Sequence, residues 1–322
     1  MGFWKFPEAD GFGQYLKNLK DQFGACMDTS FDSLIIGQPS LDVNTDCLGH
    51  TIYETGGAVV YSGFAAAALG HKVCVLPKAN KTDIDTSLLF ASAKGIEVHT
   101  LESPKSTSIE NIYHTADKER RSCRAISRIE GYQPSEIPEI NAKIFHLAGL
   151  MRGDIGGELI EYAAKKAMAA VDVQCLLRCA DAKSGEMSFH DWEEKLSLLP
   201  RIHFLKTDAA EAEILTGSKD RAEAAKMLYD WGAKEIMITH NTEVIVYDGR
   251  EIYCEPIKSR NLSGRSGRGD TCFSAYITER LTKDIRSALL TAAALVSLKM
   301  ENPGPFCGNR TDVEAYIREF YR

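Results

Sequence analysis

Residues 266–275 read Ser-Gly-Arg-Gly-Asp-Thr-Cys-Phe-Ser-Ala and place two glycines and an aspartate directly before a predicted helix. Apolar residues recur at helical spacing from Phe273 onward, which predicts a helix over 271–281. The first N–H groups of a helix have no partner inside it and lie at the positive end of its dipole, where a phosphate can bind. Asp270 beside such an anion site could take a proton from an attacking hydroxyl. Read alone, the pattern also fits an ordinary aspartate capping a helix after a turn.

Short β-branched runs alternate with helical patterns along the rest of the chain. This alternation predicts an α/β fold with a mostly parallel central sheet and helices on both faces. Ligands of such folds bind at the carboxyl ends of the strands. The other predicted helices span 58–69, 86–93, 156–169, 209–215, 221–231 and 285–299, and the predicted strands span 33–36, 72–76, 144–147, 171–177, 203–206, 236–239 and 244–247.

Two polar, β-leaning stretches interrupt the alternation. One spans 44–55, and the other spans 106–127 and is typical of a hairpin whose turn lies at 116–119. Two such insertions could pair into a small separate sheet. Periodicity leaves two interpretations open, a lid over a ligand site or a plain surface hairpin.

Two further segments near the N-terminal half could contact a ligand. Asp42 closes the run 37–42 after the first predicted strand and could accept hydrogen bonds from hydroxyls. Gly56 and Gly57 precede a helix of small residues, and paired glycines allow close approach of a substrate to the backbone. A turn or a helix cap is the alternative for Asp42, and a tight turn into a buried helix is the alternative for the glycines.

A predicted strand ends at Lys206, and a helix begins near Asp208. Asp208 and Glu211 lie three residues apart, on neighbouring faces of the first helical turn. They could organise water around Mg²⁺, a cation that keeps several waters when it binds to proteins. Acidic residues in a first turn are also favoured by the helix dipole alone.

Composition excludes several classes of function. The net charge is −7 without a basic stripe, so a nucleic-acid partner is not expected. No apolar run approaches a membrane span, and residues 1–30 lack the apolar core of a secretion signal. Residues 1–30 instead predict an N-terminal extension with a short amphipathic helix. The nine cysteines lack metal-ligand spacing, so we expect reduced thiols in a cytoplasmic protein and no zinc site.

The order of these segments resembles the ribokinase-like, or PfkB carbohydrate kinase, family over 31–322. The segment from Gly267 to Asp270 and the stretch 206–217 carry the most specific part of the resemblance. The resemblance implies a three-layer α/β domain with a small β lid formed by 44–55 and 106–127. It assigns Asp270 as the catalytic base and the amides of Gly267, Arg268 and Gly269 as an anion hole. Asp42, Gly56 and Gly57 then contact the substrate.

The resemblance also implies an ATP-dependent kinase that uses Mg²⁺. Glu211 matches a glutamate that helps order the metal, and Thr239 matches a threonine near the nucleotide. Residues 297–304 look like the family's nucleotide-side helix and following loop, which includes Asn302 and Gly304. The expected substrate is a small sugar, polyol or nucleoside. Short stretches around 171–178 and 264–270 are similar to the inositol kinase branch, and because family members often pair through their lids, a homodimer is expected.

Some positions depart from the family pattern. Asp208 stands in place of an asparagine, so its added negative charge needs a metal or a basic neighbour such as Lys206. Tyr61 replaces an asparagine that contacts the sugar, and Asn241 replaces a glycine near the nucleotide. Residues 264–266 replace an Asp-Thr-Thr run that often helps to hold a monovalent cation, so activation by potassium is not predicted. These departures leave a second hypothesis open, a catalytically inactive protein of the same fold that senses a sugar or a nucleotide.

Overall fold

The computed structural model describes residues 31–115 and 120–321. The helices of this part are α1 (Ala58–Ala68), α2 (Thr86–Phe90), α3 (Gly157–Lys166), α4 (Gln174–Leu177), α5 (Lys195–Leu198), α6 (Ala209–Thr216), α7 (Arg221–Asp230), α8 (Arg268–Glu279), α9 (Ile285–Lys299) and α10 (Arg310–Phe320). The strands are β1 (Phe31–Ile36), β2 (Ser40–Thr45), β3 (Thr51–Gly56), β4 (Val73–Leu76), β5 (Lys78–Ala79), β6 (Ile96–Val98), β7 (Leu101–Glu102), β8 (Thr107–Tyr113), β9 (Arg121–Ser127), β10 (Ala142–Leu147), β11 (Met168–Asp172), β12 (Arg178–Ala180), β13 (Met187–Phe189), β14 (Phe204–Asp208), β15 (Glu235–Thr239), β16 (Glu243–Tyr247) and β17 (Ile252–Pro256).

A nine-stranded sheet forms the centre of the molecule, in the order β17-β16-β15-β14-β11-β10-β1-β4-β6. All neighbouring strands are parallel from β15 to β6, whereas β16 and β17 are antiparallel additions at one edge. The carboxyl ends of β1, β11, β14 and β15 therefore meet at one edge of the sheet. This arrangement confirms the predicted α/β class with a mostly parallel sheet.

Helices cover both faces of this sheet because successive side chains of a strand point to opposite faces. Phe145, Leu205 and Ile238 pack in one apolar cluster with α3, α6 and α7. Their neighbours Ile144, Phe204 and Met237 pack in a second cluster with α8 and α9. The strands are thus buried on both faces, as is usual for parallel sheets.

A separate four-stranded sheet, which we call the small sheet, has the order β3-β2-β8-β9. The pair β2–β3 follows β1 directly, and the pair β8–β9 is the predicted hairpin. The parallel pairing of β2 with β8 joins the two predicted insertions into one sheet. The predicted turn 116–119 lies outside the described residues, as does the predicted N-terminal helix within 1–30.

The helix predicted over 156–169 and the strand predicted over 171–177 are wrong in element type over part of their length. The helix predicted over 156–169 ends at Lys166, and Met168–Asp172 is instead a strand between β10 and β14. The strand predicted over 171–177 ends at Asp172, whose carboxylate accepts a hydrogen bond from the amide of Gln174 at 3.1 Å and starts α4. Every residue from Met168 to Asp172 is buried, so the run lacks the alternation that separates a strand from a helix.

The sequence analysis made predictions about the cysteines and about membrane-spanning segments, and the structure adds one observation on each. All the cysteines of this part are free thiols. In the same part of the chain, no helix combines the length and the apolar composition needed to cross a membrane.

Candidate active site

A cavity of about 730 Å³ lies between the carboxyl edge of the central sheet and the small sheet. That volume is in the usual range for sites that bind small molecules. Of the predicted site residues, it is lined by Asp42, Gly57, Tyr61, Lys206, Asp208, Thr239, Gly267, Arg268, Gly269 and Asp270. Residues from five separate segments of the sequence therefore meet in one place.

Asp270 lies in the first turn of α8, at the wall of this cavity. The predicted helix begins three residues earlier than expected, at Arg268, because Gly267 adopts the left-handed conformation, with φ 71°, and starts the helix there. Asp270 is thus the third residue of the helix and not its cap. Burial, and then the nearby Asp172, raise the pKa of Asp270 to about 6, although Lys206 and Arg178 act in the opposite direction.

The turn before α8 presents backbone amides to the cavity. The amides of Gly267 and Gly269 have no hydrogen-bond partner among the described residues. The amide of Arg268, also predicted to bind the anion, donates to the carbonyl of Arg265 at 3.3 Å. Two of the three predicted amides are consequently open to a ligand at the positive end of a twelve-residue helix.

A buried ammonium lies directly beneath this turn. Lys206, 5% exposed, has its Nζ so close to Gly269 that a Cβ added to the glycine would lie 3.0 Å from it. Lys206 donates to the Asp172 carboxylate at 2.8 Å and lies 3.9 Å from the Glu211 carboxylate. Burial alone would lower the pKa of Lys206, but Asp172 and Glu211 raise it above its usual value, so the positive charge is kept beside the turn before α8.

Asp208 and Glu211 differ in what they can offer a metal ion. The two residues form a capping box, in which the Asp208 carboxylate accepts from the Glu211 amide and the Glu211 carboxylate accepts from the Asp208 amide, both at 2.8 Å. Asp208 lines the cavity, whereas Glu211 is buried behind it. Burial and the neighbouring carboxylates raise the pKa of Glu211. Asp208 can therefore contact a ligand in the cavity, whereas Glu211 contacts Asp208 through the capping box.

At the other end of the cavity lie the predicted substrate contacts. Asp42 is largely buried, which raises its pKa, and its Oδ1 has no partner among the described residues. Gly56 does not line the cavity but makes room for Asp42, since a Cβ added there would lie 2.7 Å from Asp42 Oδ2. Gly57, at φ 107°, starts α1 against the backbone of Gln38 and Pro39.

Tyr61 lies between the cavity and the turn before α8. Its ring packs on Gly267, where an added Cβ would lie 2.1 Å from the ring, and its side chain is mostly buried. Burial, and next Asp270, raise the pKa of its hydroxyl above the usual value. The tyrosine therefore packs against the turn before α8 in addition to lining the cavity.

The inner face of the small sheet adds polar side chains that the sequence analysis missed. Asn44 donates to Glu54 at 2.8 Å and accepts from Asn111 at 2.9 Å, and all three line the cavity. Arg121 and Arg178 line it as well, and Arg178 donates to Gln174 at 2.7 Å. Burial, and then Arg121, lower the pKa of Arg178, so two like charges face one cavity. If the pairing of β2 with β3 and β8 had been known, the alternation of side chains along these strands would have placed Asn44, Glu54 and Asn111 on the same face of the small sheet.

The residues predicted to contact the nucleotide differ in whether they line the cavity. Thr239 and Asn241 line the cavity, but Asn302 and Gly304 do not. Gly264 packs on the backbone of Asn302, where an added Cβ would lie 1.8 Å from its carbonyl oxygen. On the opposite side, Arg268 donates to the Asn241 side chain at 2.8 Å and bridges the two loops.

Comparisons with known proteins agree with this geometry. The family model described as pfkB family carbohydrate kinase matches residues 26–310. The cytidine kinase of Thermococcus kodakarensis is 25% identical over 252 residues, which cover 76% of this chain and 87% of that protein. The match to the family model extends over both the central sheet and the small sheet.

Two solved structures are similar as well. A pyrophosphate-dependent kinase in the ribokinase family, complexed with a pyrophosphate analog and myo-inositol, is 34% identical, with a TM-score of 0.80 over 88% of this chain and 99% of that one. A pyrophosphate-dependent myo-inositol-1 kinase converted by mutation into a myo-inositol-3 kinase is 32% identical, with a TM-score of 0.79 over 90% of this chain and 100% of that one. The chain therefore belongs to the pfkB family of carbohydrate kinases and is a small-molecule kinase near the inositol kinase branch.

Proposed function

We propose that this kinase transfers a phosphoryl group from inorganic pyrophosphate to a hydroxyl of a cyclitol or a similar small polyol, with Asp270 as the general base. One arrangement carries the proposal. The Asp270 carboxylate lies in the first turn of α8, beside open amides and the Lys206 ammonium, in a cavity whose other end offers polar side chains to hydroxyl groups.

The acceptor end favours a polyol. Asp42, Asn44, Glu54 and Asn111 supply carboxylate and amide groups, which can bind several hydroxyls of one small ring. The unpartnered Oδ1 of Asp42 in particular needs a donor, because a buried polar atom without a hydrogen bond is costly. The similar structure with myo-inositol supports a cyclitol, and the cytidine kinase keeps a nucleoside as the alternative acceptor.

Two observations support pyrophosphate instead of the ATP expected from the resemblance. The two solved structures described above, at 34% and 32% identity, are of pyrophosphate-dependent kinases. Three cationic side chains, Lys206, Arg265 and Arg268, also line the cavity together with the turn before α8. Such a lining suits a diphosphate better than a purine base. ATP remains the alternative donor.

The Mg²⁺ expected from the family fits the residues present. The described residues contain no cluster of three acidic, histidine or cysteine side chains that could hold a metal ion by themselves. Mg²⁺ is commonly bound by one or two carboxylates together with substrate phosphates and water, so Asp208 can supply the protein contact. When bound, the ion would neutralise charge on the donor phosphates.

In the proposed reaction, an oxygen of the acceptor attacks the terminal phosphorus of pyrophosphate. A new P–O bond forms to the acceptor, the bridging P–O bond breaks, and the acceptor proton passes to Asp270. The products are a phosphate monoester and inorganic phosphate. The amides of Gly267 and Gly269 and the ammonium of Lys206 stabilise the negative charge of the transferred group.

The raised pKa of Asp270 predicts a pH dependence. The base acts as a carboxylate, so the rate falls as pH drops through the pKa of about 6, and well below it the rate falls about tenfold per pH unit. The measurement is kcat/KM for the acceptor between pH 5 and 8 at saturating donor. A rate that stays constant down to pH 5 would contradict the assignment.

We also propose that the small sheet acts as a lid over the cavity. Its inner face carries Asn44, Glu54 and Asn111, so closure on a bound acceptor would exclude water from the donor. Amide hydrogen exchange in Thr107–Tyr113 should slow when acceptor and pyrophosphate bind together. Exchange that does not change would argue against closure.

The outer face of the small sheet supports the predicted homodimer. Tyr53 is 80% exposed, and Ile112 and Ile126 are exposed on neighbouring strands of the same face. Exposed apolar side chains that share one sheet face favour a partner, here a second copy. Tyr53→Glu should halve the mass measured by light scattering, whereas Leu196→Glu, at an exposed leucine outside the small sheet, should leave it unchanged. A monomeric wild-type protein would refute the pairing.

The experiment that tests the proposed function is a panel of donors and acceptors. Pyrophosphate and ATP are each supplied with Mg²⁺ and with inositols, pentoses, hexoses or nucleosides, and the phosphorylated product is measured. We expect product from an inositol with pyrophosphate. Tight binding of a panel member without any product from either donor would favour the sensor hypothesis instead.

A further inference from the structure

Lys299, the last residue of α9, is a buried cation without a carboxylate partner. It is 2% exposed, and no carboxylate of the described residues lies within 4 Å of its ammonium. Its Nζ donates instead to two backbone carbonyls, of Gly264 at 2.5 Å and of Ser266. Both carbonyls belong to the loop that leads into the phosphate-binding turn, which begins at Gly267.

The loop is held between two side chains. The Lys299 ammonium donates to the Ser266 carbonyl of the loop, and the ring of Tyr61 packs on Gly267. The ammonium also lies 5.0 Å from the centroid of the Tyr61 ring, a cation–π distance. Loop, ring and ammonium therefore form one packed unit, so the direction of the Gly267 amide depends on Lys299.

The charge of this unit is not neutralised by the protein. Burial lowers the pKa of Lys299 to about 8, and Asp270 and Glu54 offset only part of that effect. A buried charge without a partner is costly, and an anion bound nearby relieves that cost. The open amides of Gly267 and Gly269 lie on the same loop and turn, where a diphosphate would supply such an anion.

We propose that Lys299 is a positioning residue, a cation attached to the chain that fixes residues 264–267 in the phosphate-binding conformation and favours a bound diphosphate. The proposal rests on the proposed function, because it takes the turn before α8 to be the donor site. Since the cation is covalently attached, the loop needs no dissolved monovalent cation to keep its shape.

The test compares Lys299→Ala and Lys299→Met with the wild-type protein. Isothermal titration with inorganic pyrophosphate measures the dissociation constant, and turnover with the acceptor and donor from the panel gives kcat and KM. We expect both variants to bind pyrophosphate at least tenfold more weakly. Methylammonium should restore binding and turnover in Lys299→Ala, which leaves a space lined by carbonyls, but not in Lys299→Met, which fills that space.

The matched control is Lys258→Met. Lys258 likewise donates to a backbone carbonyl, of Phe320 at 2.6 Å, and lies 4.8 Å from the centroid of the Tyr321 ring, but it does not line the cavity. This variant should bind pyrophosphate like the wild type. Exchange of sodium and potassium for tetramethylammonium should leave wild-type turnover within twofold, and this measurement does not depend on the folding of any variant.

The outcomes separate this proposal from the proposed function. Unchanged pyrophosphate affinity in both Lys299 variants, or wild-type turnover that requires sodium or potassium, would overturn the role of Lys299 alone. Binding of pyrophosphate without turnover of any acceptor would overturn the proposed function and leave the role of Lys299 supported by the titrations. A wild-type protein that does not bind pyrophosphate would overturn both.

Discussion

Asp270→Asn is expected to lower kcat by about 10²–10⁴-fold, the range that general base catalysis contributes. The change keeps the size of the side chain and removes only its ability to take the acceptor proton. Because the amides of Gly267 and Gly269 and the ammonium of Lys206 remain, pyrophosphate should still bind within a few-fold of the wild-type affinity. Steady-state kinetics and isothermal titration measure the two effects separately.

The matched control for this variant is Asp284→Asn. Asp284 also lies at a helix start, where it caps α9 and accepts from the Ser287 amide at 2.7 Å, but it does not line the cavity. Its kcat should equal that of the wild type. Near-normal turnover of Asp270→Asn, in a protein that binds pyrophosphate, would refute Asp270 as the base.

Lys206→Met is expected to lower kcat/KM for the donor by about 10²–10³-fold, as removal of a single preorganised charge-stabilising donor does in other active sites. The ammonium lies against Gly269 and holds the Asp172 carboxylate, so its loss removes positive charge beneath the anion site and leaves a buried carboxylate unpaired. Without the opposing charge of Lys206, the Asp172 carboxylate should raise the pKa of Asp270 further. The acidic limb of the pH profile should then move to higher pH. The pH dependence of kcat/KM checks this second effect.

Lys78→Met is the matched control, because Lys78 is also buried and paired with a carboxylate, that of Glu136 at 2.8 Å, but lies outside the cavity. It should lose stability without a loss of kcat/KM. If Lys206→Met stays within tenfold of the wild type, the ammonium beneath the turn has no part in binding or transfer.

Much of the fold could be predicted because local pattern and final structure agree. The span 285–299 shows clear helical spacing, and the structure has the helix with the same bounds. The prediction for the region from Met168 to Leu177 was wrong because Met168–Asp172 is buried throughout, and burial of every residue removes the alternation from which strands are recognised. Sheet order supplied the missing information, since β11 lies between β10 and β14.

The site residues that could be predicted are those identified by a short segment of sequence. Asp270 and Lys206 stand beside glycines or at strand ends, and both line the cavity. Asp172, Arg178 and Lys299 were missed as site residues because their positions depend on which distant segments become neighbours. Asp172, for example, meets Lys206 only because β11 pairs with β14.

The central claim is transfer of a phosphoryl group from pyrophosphate to a cyclitol hydroxyl, and phosphorus NMR tests it most directly. The protein is incubated with inorganic pyrophosphate, Mg²⁺ and myo-inositol, and the signals of pyrophosphate, inorganic phosphate and phosphate monoester are followed together. The account predicts that one monoester and one inorganic phosphate appear for each pyrophosphate consumed, and that Asp270→Asn slows the appearance of both by about 10²–10⁴-fold. Inorganic phosphate without the monoester, or a monoester formed only when ATP replaces pyrophosphate, would contradict it.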